Sequence, residues 1–105
     1  MKHFSLVMLL LCLASVNLLF AGTTGKITGT IIDAASGDPL PGANIVIEGT
    51  MMGAASNLNG DYVILNVPPG VYTLKVSMIG YAVHVATGVR VNIDLTTTVN
   101  FQLQQ

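Results

Sequence analysis

The sequence predicts an all-β protein, a seven- to eight-stranded antiparallel β-sandwich preceded by a helical leader. Apolar and polar residues alternate with period two over short stretches, as strands with one buried face require. Turns built from Pro, Gly, Asn and Asp cut those stretches at close intervals. Beyond residue 21 no segment carries the 3.6-residue spacing of a helix. The alternation and the turns are densest over residues 39–81. Each strand's apolar side needs a cover, which implies two packed sheets.

The first 21 residues are set apart from the fold. Lys2 and His3 give a positive start, residues 4–20 are mostly Leu, Val, Met and Ala, and Ala21–Gly22 is a small-residue exit. That is the pattern of a secretory signal peptide, cleaved after Ala21. Ser5, Ser15, Asn17 and the lack of a basic cluster after Phe20 argue against a spanning anchor. The expected organisation is a leader at 1–21 and one domain at 22–105. The only cysteine, Cys12, leaves with the leader, so the domain must be held by packing without disulfides.

The strands follow in order. Ile27, Gly29 and Ile31 alternate with Lys26, Thr28 and Thr30, giving a first strand. Residues 33–38, ahead of Pro39, are turn material in which Asp33 and Asp38 cap the backbone. Ala43, Ile45 and Ile47 share one face of a second strand that closes at Gly49, and residues 54–56 form a short third. Asn59–Gly60 is read as a type I′ hairpin turn, with residues 62–67 returning. Pro68, Pro69 and Gly70 make the next turn, Gly70 at a position suited to positive φ. Tyr72 is expected to bury its ring and send its hydroxyl to a backbone group. Tyr72, Leu74, Val76 and Met78 line one face of the most regular strand. Three more follow: around His84 on the polar phase between Val83 and Val85, then over residues 89–95, then over 99–103.

Charge and residue types exclude several functions. After the leader, Lys26, Lys75 and Arg90 stand against Asp33, Asp38, Glu48, Asp61 and Asp94, a formal charge of −2. That leaves no basic patch for nucleic acid. His84 is the only histidine after the leader, and the serines lie in no nucleophile-elbow context, so no catalytic residues are assigned and the chain is not read as an enzyme. No cofactor or metal site is assigned either. Asn57, Asn59 and Asp61 imitate a cation loop, but Gly60 stands on the wrong side of Asp61 and no closing bidentate ligand follows.

GTIID at 29–33, SGDPLPGANIVIEGT at 36–50, NLNGDYVILNVPPGVYTLKVSMIGY at 57–81 and VNFQL at 99–103 together resemble the carboxypeptidase regulatory-like domain. That family has a transthyretin-like (prealbumin-like) sandwich of Greek-key type, and occurs at the amino terminus of outer-membrane TonB-dependent receptors. Ser56 and Asn57 stand where members commonly carry Thr and Asp, which removes one carboxylate and keeps the turn. The resemblance implies an exported, periplasmic or outer-membrane-associated accessory module whose partner is a protein or a larger receptor body. The alternative it leaves is a free-standing module for carbohydrate or a surface polymer. Met51 and Met52, flexible apolar side chains in a loop, and Tyr81 at a strand end are the expected partner contacts.

Overall fold

The computed structural model describes residues 23–105, so the leader expected at 1–21 lies outside the described residues. Eight strands follow one another: β1 (Gly25–Asp33), β2 (Asn44–Ile47), β3 (Gly53–Ala55), β4 (Asp61–Val67), β5 (Gly70–Ser77), β6 (His84–Val91), β7 (Thr96–Thr98) and β8 (Phe101–Leu103). They form two sheets, as the alternation requires. The second sheet has the order β3-β2-β5-β6 and is wholly antiparallel. The first is mixed: β1 is central, β4 pairs antiparallel with it, and β7 and β8 lie parallel along its other side.

The parallel ladder runs at one register, from Lys26↔Thr96 to Asp33↔Leu103. It is interrupted only where the chain lifts at Val99 and Asn100. There the Val99 N–H donates to the Thr28 carbonyl at 2.8 Å. The Thr30 N–H donates to the Asn100 side-chain carbonyl at 2.9 Å. The lift needs a gap beneath it, which explains Gly29: a Cβ there would overlap the Val99 carbonyl and come within 2.8 Å of the Tyr62 ring.

The core is the set of inward residues the alternation picks out, among them Ile27 and Ile31 of β1, Ile45 and Ile47 of β2, Tyr62 and Ile64 of β4, Leu74 and Val76 of β5, and Phe101 and Leu103 of β8. Each fully buried aliphatic side chain contributes about 1.5–3 kcal/mol relative to exposure. Burial by both sheets therefore takes the place of a covalent staple. Tyr62 also donates its hydroxyl to the Val99 carbonyl at 2.6 Å, fixing β4 to the lifted segment.

Four local readings are corrected. Asn59–Gly60 is not a type I′ turn, because Gly60 has positive φ (79°) and Asn59 does not. Instead Asn57 organises the turn: its backbone carbonyl accepts from the Gly60 N–H, and its side-chain oxygen accepts from the N–H groups of Asn59 and Asp61. Nor does the turn join paired strands, since β3 belongs to the second sheet and β4 to the first. Gly70 is absent from the positive-φ positions, and Asn66 takes one instead (58°). Residues 93–95 do not extend a strand: the chain turns at Asp94 (φ 58°), leaving Ile93 and Leu95 half-exposed. The stretches around 84 and 89 are one strand, β6, with a bulge opposite β5 where Gly88 has φ 67°.

Candidate functional site

The registers sort the loops into two rims. Thr30↔Asp61, Ile31↔Phe101 and Asn44↔Ser77 place the β1–β2, β3–β4 and β5–β6 connections together with the end of β8 at one rim. The β2–β3, β4–β5 and β6–β7 connections lie at the other. The three expected contact residues therefore divide: Met51 and Met52 sit in the β2–β3 loop at the second rim, and Tyr81 sits at the first.

At the second rim Thr50 shapes the loop by donating its hydroxyl to the Ile47 carbonyl and accepting from the Met52 N–H. Met52 packs against the core while Met51 stands fully exposed. Tyr72, in β5, is half-buried and donates its hydroxyl to the Pro68 carbonyl at 2.6 Å, the backbone contact expected of it.

At the first rim a polar cluster centres on Asp33. One carboxylate oxygen accepts from the N–H groups of Ala35 and Ser36 at 2.8 and 2.9 Å, the turn capping anticipated from sequence. The other accepts from the Tyr81 hydroxyl at 2.8 Å, and the Gln105 side-chain amide donates to that hydroxyl at 3.3 Å. The Ser36 N–H first, then the Tyr81 hydroxyl, hold the Asp33 carboxyl below the usual carboxylate range, since each bond favours the charged form. The Tyr81 partnership was not legible in sequence, because 48 residues separate the pair and no periodicity spans that distance.

The oxygens of the 57–61 segment are directed to the protein's own donors. Asp61 accepts from the Thr30 hydroxyl at 2.6 Å, and Asn57 serves its own turn. Among the described residues no group of three or more His, Cys, Asp or Glu side chains converges.

His84 departs from the sequence reading of its phase. It pairs in register with the core residue Val76, so its side of β6 faces the sandwich, and Val83 and Val85 carry the exposed phase. At the strand end His84 is nevertheless exposed, with its ring edge-on to Phe101 at 5.6 Å and 77°. The two rings stand beside an open groove of about 670 Å³, lined also by Thr30, Ile32, Asn100 and Gln102.

Residues 26–104 match the carboxypeptidase regulatory-like domain model. The chain belongs to this family. A curated relative, TonB-dependent receptor P3 of Formosa agariphila, is 30% identical over 76 residues, which are 71% of the chain and 8% of the receptor. The chain thus spans under a tenth of the receptor's length. Among solved structures, a type II cohesin–X-dockerin complex from Acetivibrio cellulolyticus, a C-terminal interface mutant, is similar at a TM-score of 0.62 and 22% identity, over 73% of this chain and 52% of that one. A crystal structure described as a putative carbohydrate binding protein from Bacteroides uniformis is similar at a TM-score of 0.57 and 15% identity, over 74% and 40%. At those identities the likeness is one of fold.

Proposed function

We propose that this domain, residues 22–105 after removal of the leader, is a non-catalytic exported module that makes protein contacts within or beside a TonB-dependent receptor at the outer membrane. The observation that carries this reading is the receptor relative, of which a segment of this size is only 8%. A family domain that is a small part of a long chain serves as an accessory to a larger body. Met51 supports the reading from the domain's side, as a flexible apolar side chain wholly exposed on a loop whose neighbour Met52 is anchored.

Carbohydrate binding is the weaker role. Sugars are usually met by exposed aromatic faces, yet Tyr62 and Phe101 are buried and Tyr72 and Tyr81 are half-buried with their hydroxyls bonded. The test is association of the purified domain with detergent-solubilised TonB-dependent receptor, compared between the wild type and a Met51→Lys/Met52→Lys double variant. Loss of association is expected, with a lowered melting temperature in the double variant because Met52 leaves its packing against the core. Met51→Lys alone should lose association at an unchanged melting temperature. Unchanged association with a lowered melting temperature would sink the docking role of these residues.

A further inference from the structure

We infer that the outer edge of β8, with the groove beside it, takes up an extended neutral peptide as an added strand. The inference rests on the protein-contact reading above and gives that role a partner chemistry, at a surface separate from Met51 and Met52.

The backbone supplies the first argument. In a parallel ladder the residues of a strand bond alternately to one side and the other. The Ala34 N–H donates to the Leu103 carbonyl at 2.9 Å, which sets the phase: Phe101 and Leu103 bond towards β1, and the N–H and C=O of Gln102 point away from it. Among the described residues, β8 pairs only with β1. On its outer side the Ala82 N–H donates to the Gln104 carbonyl at 2.7 Å. One strand-like bond is therefore made at the end of β8, and the next positions along the edge lie open.

The space beside that edge supplies the second. The two sheets approach where the Thr97 hydroxyl donates to the Arg90 carbonyl at 2.8 Å. Towards His84 and Phe101 the groove of about 670 Å³ lies open along β8. At about 3.3 Å per residue, β8 offers roughly 10 Å of edge, enough for three or four residues of an added strand.

The lining selects the occupant. The groove residues include no carboxylate, lysine or arginine, and His84 is the one titratable side chain among them, so a charged ligand finds no fixed counter-ion. Phe101 is only 2% exposed and has the His84 ring against it, so it offers no stacking face to a sugar. What remains is a row of amides, Asn100, Gln102 and Gln104, and unpaired main-chain groups, which an extended backbone satisfies. Two of the other edges carry features that discourage pairing: β6 has its bulge, and β4 carries Asp61 and the positive-φ residue Asn66. The segment from Asn100 to Gln104 has no charge.

The experiment pans a displayed library of random nonapeptides against the purified domain, with an array of neutral oligosaccharides in parallel. Selected peptides are then measured on wild type, Gln102→Pro and Gln102→Ala. Proline removes an N–H that β1 does not use, so Gln102→Pro is expected to weaken binding about tenfold, the worth of a lost backbone bond, at a melting temperature near wild type. Gln102→Ala keeps the N–H and should stay within about threefold. If the proline variant fails to fold, alternate N-methylation of the peptide on wild-type domain carries the test, and loss of binding in only one of the two phases is expected. Equal weakening by Ala and Pro, equal tolerance of both N-methylated phases, binding of oligosaccharides alone, or no selected peptide would each overturn the inference. Failure of the receptor reading would show separately, as no association of the wild-type domain with the receptor alongside intact peptide binding.

Discussion

The two sheets are built from different kinds of pairing. In the second sheet β2–β3 and β5–β6 are hairpin neighbours, so much of the sheet assembles from residues close in sequence. In the first, β1 must find β4 some thirty-five residues later and β7 and β8 seventy residues later. Local pairs close small loops, whereas distant ones must first meet a larger entropic cost. The difference shows where specificity is concentrated. The second sheet relies on repeated alternation, and the first depends on single residues that let distant segments approach.

The sharpest way to break this contrast is Gly29→Ala, one methyl placed under Val99. Because the obstruction is backbone, the loss should exceed about 4 kcal/mol, read as failure to fold or a collapsed melting temperature. A cost below about 1 kcal/mol would show that the C-terminal strand is not locked to β1 as described. Leu74→Ala in the second sheet removes a fully buried side chain and should cost about 2–5 kcal/mol by denaturant unfolding, through a cavity that neighbours can partly fill.

Tyr62→Phe is milder. It leaves the Val99 carbonyl without its donor, at a cost of about 1–3 kcal/mol. Burial also pushes the Tyr62 hydroxyl up to about 12, so the wild type has a matching alkaline signature. The neutral form is favoured in the folded state, so this contribution is complete below the free tyrosine value near 10 and is lost as pH rises through about 12. Tyr62→Phe should flatten that alkaline fall in stability.

The smallest effect belongs to Asp33. Its lowered pKa makes a contribution present above the unfolded carboxylate value near 3.9, lost as pH falls through the folded value. Asp33→Asn should reduce the acid sensitivity of the melting temperature. Identical acid profiles for the variant and the wild type would remove Asp33 from the account.

The same contrast explains what the sequence disclosed. Alternation over Ile45, Ile47, Leu74 and Val76 identified strands and their buried faces correctly. Turn chemistry located Asn57 to Gly60 but misassigned its geometry, because the Asn-Gly signal does not reveal that the flanking strands part into different sheets. The phase around His84 was inverted because Val83 and Val85, though apolar, carry the exposed side there. The bulge at Gly88 hides from a period-two count that this stretch continues into Val89 and Val91. Nothing local announced the parallel pairing of β1 with β8 or the Tyr81–Asp33 bond. Both depend on which distant segments meet, and so did the groove beside β8.

The parallel ladder also has a mechanical meaning. Tension applied at Gly25 and Leu103 runs along the axes of two parallel neighbours, so the bonds between β1 and the β7–β8 line are loaded in shear and share the force. A hairpin pulled from its open end would surrender its bonds singly. Such an arrangement resists extension by keeping forced unfolding, a kinetic event, slow.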